Sequence, residues 1–290
     1  IFAINELPDL AERIQVGLLN VLEERDVQIR GYKVHLPLDV LLVATANPED
    51  YTNRGRLITP LKDRFGAQIR THYPLEIDIE MEIAEQEAVP LKADGLSITV
   101  PEFMTEVIAT FTHICRASSQ VNQRSGVSVR MTVTNYETLI ANATRRALQA
   151  GEDYVVPRVS DLEALMASSS GKIEIESIEE GRDGQIVNQM LKAAVLEVFK
   201  SRFSPEDLVA VVDSFDEGIV AHTGDDIESG EYADLLAGNA ALGEAVSELT
   251  DSAEPAELAS AVELILEGLH LSKRLNKETL GVRATYRGRG

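Results

Sequence analysis

The sequence predicts an α/β chain: part of an αβα core with three strands, followed by helices to near its end. Three observations carry that reading. The apolar run Ile1-Phe2-Ala3-Ile4 ends in the polar pair Asn5-Glu6. A second apolar run, Val40 to Ala46, ends at Asn47. From Asp78 onward the apolar spacing turns helical. Buried strands that deliver polar side chains to one edge are what an open α/β sheet needs, because ligands bind at its carboxyl edge.

Each element then follows in order. Pro8 to Arg25 reads as a helix, with Leu10, Ile14, Leu18 and Leu22 recurring every four residues, and Pro8 suits its first turn. Val27 to Leu36 alternates on both sides of Arg30-Gly31, a hairpin pattern. After the strand ending at Asn47, the segment Leu61-Lys62-Asp63-Arg64-Phe65-Gly66 reads as a short helix, and Ala67 to Tyr73 as a third strand. Four helices follow: Ile79 to Val89, Pro101 to Ala117, Thr132 to Ala150, and one begun by Ser160 with Glu163 three residues on, a capping-box spacing. Ser168-Ser169-Ser170-Gly171 reads as a linker. Beyond it the pattern predicts helices over 184–202, 205–214, 231–248 and 254–275, a mobile acidic loop over 213–231, and a basic, disordered tail over 276–290.

Composition narrows the class. The chain has 290 residues, 44% hydrophobic and 26% charged, ordinary for a globular protein with more than one core. No apolar run approaches the roughly 20 residues that cross a bilayer. The single Cys115 excludes an intrachain disulfide and a cysteine-cluster metal site, and reads as a small buried hydrophobe in a reducing, cytoplasmic setting. The five histidines lack zinc-motif spacing. The formal net charge is −21. Residues 172–268 hold 23 acidic against 5 basic side chains, and residues 269–290 hold 1 against 6. An acidic body repels phosphate backbones, so nucleic acid is an unfavourable partner there. A solvated helical surface explains the acidity plainly, and a docking face for a basic partner is the sharper alternative.

Taken as an ordered set, Glu6-Leu7-Pro8, Leu19-Asn20-Val21-Leu22-Glu23-Glu24, Ala46-Asn47-Pro48 and Asp63-Arg64-Phe65 resemble the AAA+ ATPases, most closely the magnesium-chelatase and MoxR branch. The resemblance covers residues 1–171. It implies the C-terminal part of a P-loop AAA+ core over 1–75 and a helical lid over 76–171; charge and patterning add an acidic helical region over 172–275 and a basic flexible tail over 276–290. It also implies ATP and Mg²⁺ as cofactors, a ring oligomer, most simply a hexamer, and a von Willebrand factor A domain protein as partner. No nucleic acid or membrane enters that picture.

The residue roles come from the same resemblance. Asn5-Glu6 stands where the family carries Asp-Glu, the Walker B pair. Glu6 would orient or activate the attacking water. Asn5 would accept from a Mg²⁺-bound water without adding charge, which weakens the metal site. Asn47 stands at sensor 1, where a neutral amide positions water. Arg64 is the candidate arginine finger, whose planar fork a lysine could not match. Arg130, just before the third lid helix, stands at sensor 2. Arg54 and Arg56 sit in a loop that faces a subunit interface on this reading, while Arg145 and Arg146 read as structural. Each role has a plain structural alternative: a strand end for Asn5-Glu6, an Asn-Pro turn for Asn47, a surface Arg paired with Asp63 for Arg64, and an exposed helix start for Arg130. Two rival functions stay open beside a remodelling ATPase: a chelatase motor for porphyrin metallation, and a non-hydrolysing scaffold.

The phosphate loop G-x-x-x-x-G-K-[ST] is absent from these 290 residues. The chain opens without an initiator Met, inside a motif, so the loop is expected upstream. The purified 290-residue chain is therefore expected to show no ATP turnover above background in a phosphate-release assay. A clear turnover signal would contradict the motif reading.

Overall fold

The computed structural model describes residues 1–35, 39, 41–47, 57–90, 95–122, 125–175, 182–204 and 206–289. The chain divides into two compact units, Ile1–His72 and Tyr73–Gly290.

In the first unit β1 (Phe2–Ile4) is followed by a 3-10 turn (Leu7–Asp9), α1 (Glu12–Glu23), β2 (Asp26–Ile29), β3 (Tyr32–His35), β4 (Leu42–Ala44) and α2 (Thr59–Lys62). β1 and β4 pair in parallel, Phe2 opposite Leu42 and Ile4 opposite Ala44. β2 and β3 form the expected antiparallel hairpin. Its turn residues, Arg30 and Gly31, both have positive φ, 50° and 88°, the geometry that matches strand twist in a two-residue turn.

The first helix departs from the continuous one expected. Leu10 is extended at φ −67°, ψ 132° and separates the 3-10 turn from α1. Gln15, buried in α1, donates to the Leu10 carbonyl at 2.9 Å and so satisfies an oxygen that helix continuation would have used. The third strand expected over Ala67–Tyr73 does not form. No strand pairing reaches it among the described residues, and Ile69 is 88% exposed. A strand is stable only when its backbone groups find a ladder partner, and among the described residues this sheet has two parallel strands, β1 and β4.

The second unit holds α3 (Ile77–Glu87), β5 (Ser97–Ile98), α4 (Glu102–Ala117), α5 (Val129–Ala150), β6 (Tyr154–Val155), a 3-10 turn (Val159–Ala164), α6 (Leu165–Ser169), α7 (Asp183–Arg202), α8 (Val209–Asp216), β7 (Val220–Gly224), α9 (Ser229–Ala237), α10 (Ala240–Ser247), α11 (Pro255–Leu271), β8 (Asn276–Leu280) and β9 (Arg283–Arg287). α5 starts at an Ser128 cap, whose hydroxyl accepts from the Arg130 N–H, and ends at Gly151 with φ 72°. β5 and β6 pair in parallel, and β7, β9 and β8 form an antiparallel sheet in that order.

Three expectations change in this unit. Residues 168–171 are not a linker. Ser169 is fully buried, and the Ser168 and Ser169 hydroxyls donate to Asn135 Oδ1 at 2.6 and 3.2 Å. Val187, Leu191, Ala194, Val195 and Val198 of α7 pack into the same core as Phe103, Met104 and Phe111 of α4 and Leu139 of α5, so α7 shares a core with these two earlier helices. The capping box expected at Ser160 does not form: two residues earlier the Arg158 N–H donates to Asp161 Oδ2 at 2.8 Å, while the Ser160 amide and hydroxyl donate to Glu263.

The largest correction concerns residues 276–290. They are not a flexible tail: β8 and β9 close a three-stranded sheet with β7, which lies inside the segment expected as a loop. Ala284 and Tyr286 are buried. The basic residues are tied to the acidic region they follow. Lys277 Nζ meets Glu267 at 2.7 Å, Arg283 Nε meets Asp226 at 2.6 Å, and the Arg289 amide donates to Asp216 at 2.8 Å. The helix expected over 231–248 breaks at Gly238-Asn239, where the Asn239 side chain accepts from the Leu242 N–H and starts α10.

Charge is also buried. Arg146, on α5, lies 2.9 Å from Asp161, and both are buried. Arg158, fully buried, donates to the Ile227 carbonyl and to Ser229 and covers the Tyr232 ring at 4.8 Å. Cys115 is buried as expected, and burial pushes its thiol up to about 12.

Two stability outcomes follow. A Cβ added at Gly268 of α11 would collide with the Phe199 ring of α7. Alanine favours a helix interior by about 1 kcal/mol over glycine, but overpacking costs about 1–3 kcal/mol. Gly268→Ala is expected to lower the urea midpoint; a midpoint at or above wild type would show that the two helices can move apart. Burial alone would push the Glu267 carboxyl up, but Lys277, the Tyr286 hydroxyl and His270 outweigh it and hold Glu267 below 4.5. A depressed carboxyl contributes stability that is present above pH 4.5 and lost as pH falls through the lower folded value. Urea melts should therefore show the gap between wild type and Glu267→Gln closing below pH 4.5. A gap that stays constant would contradict the assignment.

Candidate functional site

The site is built at the carboxyl ends of β1 and β4. Parallel pairing puts the last residues of both strands at one edge, so Asn5-Glu6 and Thr45-Ala46-Asn47 emerge side by side. Backbone hydrogen bonds extend the pairing past the strands: Thr45 N–H donates to the Ile4 carbonyl and Leu7 N–H to the Thr45 carbonyl, both at 2.9 Å. Between them the Glu6 N–H donates to Thr45 Oγ1 at 3.0 Å. Glu6 sits in the left-handed region at φ 50°, ψ 53°. For a non-glycine residue that conformation costs about 1–3 kcal/mol and is kept where surroundings enforce it. Leu7, buried directly after it, anchors the turn.

The result is a polar edge of oxygen donors. Asn5, Glu6 and Asn47 are all exposed there. A carboxylate with two amides suits Mg²⁺, a hard ion that takes oxygen ligands and keeps several waters. Among the described residues no group of three His, Cys, Asp or Glu side chains could hold a metal ion.

Arg64 follows α2. Its Nη2 meets Glu23 Oε1 of α1 at 2.5 Å, and its Nη1 donates to the Pro60 carbonyl at 2.6 Å. The structural alternative of a pair with Asp63 is replaced by this pair with Glu23. α1 and α2 are fixed to each other by Leu61, fully buried, and by Gln15, whose Oε1 accepts the Ile58 N–H at 3.0 Å. Gln15 went unread in the sequence. Its signal was a polar residue on the apolar side of an amphipathic helix, one position after Ile14.

Arg130 belongs to the second unit. It is exposed at the start of α5 with no ion pair among the described residues. Two residues on, Thr132 is buried and donates to Glu80, itself fully buried on α3. Arg116 of α4 holds Glu80 through two nitrogens at 2.5 and 2.8 Å and covers the Tyr73 ring at 4.5 Å. This cluster joins α3, α4 and α5 beneath the Arg130 turn, and sequence reasoning missed it. Glu80 lies four residues before the buried Ala84, a spacing that marks it as core-facing. Pro48, Arg54 and Arg56 lie outside the described residues. Arg145 and Arg146 are structural, bound to Asp225 and Asp161.

The second unit holds a polar cavity of about 310 Å³ lined by Arg145, Glu163, Glu263, Lys277 and Arg283 among others, and Arg130 is not in its lining. Its cations are matched by carboxylates of the same chain, Arg145 by Asp225, Lys277 by Glu267 and Arg283 by Asp226. Among the described residues no helix is long and apolar enough to cross a membrane.

Comparison with known proteins supplies the family context. No protein-family model matches the chain. It is 26% identical over 172 residues to the chaperone MoxR1 of Mycobacterium tuberculosis, covering 53% of this chain and 45% of that protein. The chain thus spans less than half of that relative's length. A solved structure from Cytophaga hutchinsonii, described as a candidate ATPase, is 19% identical and covers 66% of this chain and 64% of that one, with a TM-score of 0.27, too low to argue a shared fold. On this comparison the chain is similar in sequence, over about half of its length, to the chaperone MoxR1.

Proposed function

We propose that the whole protein carrying this chain is an ATP-hydrolysing AAA+ remodelling motor of the MoxR and magnesium-chelatase type. The observation that carries the reading is the shared edge of β1 and β4, where Glu6, held left-handed by Thr45, emerges beside Asn47. On this reading Glu6 takes the proton of the attacking water, and Asn47 orients that water by hydrogen bonding. Asn5 accepts from a water in the Mg²⁺ shell. Bound Mg²⁺ neutralises charge on the phosphates. Arg64 serves the nucleotide of an adjacent copy in a ring, most simply a hexamer, and Arg130 reads the γ-phosphate from its own lid. A von Willebrand factor A domain protein is the proposed partner, and nucleic acid and membranes are not.

Asn5 favours one rival. A neutral amide where the family carries aspartate gives Mg²⁺ less charge, which suits a scaffold that binds nucleotide without turning it over. Glu6→Gln in the whole protein decides between them. The motor reading expects turnover to fall by about 10²-fold or more with ATP binding retained. Turnover that is undetectable in wild type, or unchanged by the substitution, would hand the site to the scaffold reading. The chelatase rival stands or falls on whether deletion of the gene abolishes tetrapyrrole metallation.

A further inference from the structure

Arg64 is already occupied within its own chain. Glu23 Oε1 takes Nη2, the Pro60 carbonyl takes Nη1, and Nε is buried without a hydrogen-bond partner among the described residues. A phosphoryl group is best gripped by a guanidinium edge that offers two parallel N–H donors. Each nitrogen of that edge is either engaged or turned inward. We propose that Glu23 holds Arg64 in a resting pair that the γ-phosphate of a nucleoside triphosphate on an adjacent copy must displace, so that the Glu23 carboxylate sets how readily turnover responds to assembly. This rests on Arg64 being the arginine finger.

The arrangement is fixed by packing. Gln15 joins α1 to the start of α2 through Ile58, and Leu61 is buried in the same unit. Glu23 closes α1 and Arg64 follows α2, so the two packed helices bring these side chains within pairing distance. The pair is a surface one: Glu23 is 53% and Arg64 28% exposed at the side chain. Exposed pairs of this kind shift a population by a factor of about five at most. A γ-phosphate carries more charge than one carboxylate and competes successfully, so Glu23 tunes the finger without silencing it. Glu24, next along the chain, is engaged elsewhere, with Lys33 Nζ at 2.9 Å. It serves as a control for the loss of one negative charge at the same helix end.

The test is steady-state ATP turnover of the whole protein, wild type against Arg64→Ala, Glu23→Gln and Glu24→Gln, with thermal melts confirming that each variant folds. The expected result is a kcat raised about two- to fivefold in Glu23→Gln with KM for ATP unchanged, wild-type behaviour in Glu24→Gln, and loss of turnover in Arg64→Ala. The double variant Glu23→Gln/Arg64→Ala should match Arg64→Ala. If Arg64→Ala abolishes turnover while Glu23→Gln leaves kcat unchanged or lowers it, the resting pair is wrong and the finger stands. If Arg64→Ala turns over like wild type, the finger reading fails and takes the resting pair with it.

Discussion

One hydrogen bond organises the candidate site: the Glu6 amide donating to the Thr45 hydroxyl. Two short parallel strands, three residues each, supply few ladder bonds of their own. The pairing persists because Thr45 binds β1 and the turn that follows it at three points, through its amide to Ile4, its carbonyl to Leu7 and its side chain to Glu6. The middle bond is the one that a regular ladder would not contain. It compensates for the left-handed turn at Glu6, which a non-glycine residue adopts only under constraint. The same turn directs Leu7 into the core and leaves the Glu6 carboxylate in solvent at the strand edge. A threonine directly after a short strand thus fixes the position of a carboxylate 39 residues earlier in the chain.

The second unit depends on a different constraint, the matching of charge. Residues 172–268 hold an excess of acid that would resist compaction. Part of that excess is answered by the basic residues that follow. Lys277 and Arg283 pair with Glu267 and Asp226, and the strands that carry them close the β7 sheet. Glu267 is buried, so its charge would be costly without Lys277 and the Tyr286 hydroxyl. Further in, Arg146 with Asp161 and Arg158 with the Ile227 carbonyl and Ser229 join α5 to the helices beyond it. Removing one member of such a buried pair costs more than the pair contributes, because the survivor stays buried and uncompensated.

What could be read from the sequence and what could not divides along physical lines. Helices with a strong apolar period were legible to within a few residues: 184–202 was expected and Asp183–Arg202 is found. The hairpin at Arg30-Gly31 was legible because its turn chemistry is local. The strands at 276–280 and 283–287 were not, since their stability comes from β7 more than 50 residues earlier and from acids elsewhere in the chain. A run of Arg and Gly looks like a solvated tail until its partners are known. Ala67 to Tyr73 failed in the opposite sense, with the composition of a strand and no ladder partner among the described residues. At the site, the residue types of Asn5, Glu6, Asn47 and Arg64 were legible from their order. The supporting contacts were not: Thr45 under Glu6, Gln15 between two helices, Glu23 on Arg64. Those are long-range hydrogen bonds and ion pairs, which no local pattern encodes.

The most direct test of the account is the Thr45 side chain itself. Thr45→Val keeps shape and β-propensity but removes the acceptor for the Glu6 amide, and Thr45→Ser keeps the acceptor while trimming a methyl group. Steady-state ATP turnover of the whole protein would be compared for the two, with nucleotide binding measured alongside. The account expects Thr45→Val to lose about tenfold or more in kcat with binding retained, as a misplaced catalytic carboxylate should, and Thr45→Ser to stay close to wild type. Equal turnover in Thr45→Val and wild type would contradict the claim that this bond positions Glu6 for chemistry.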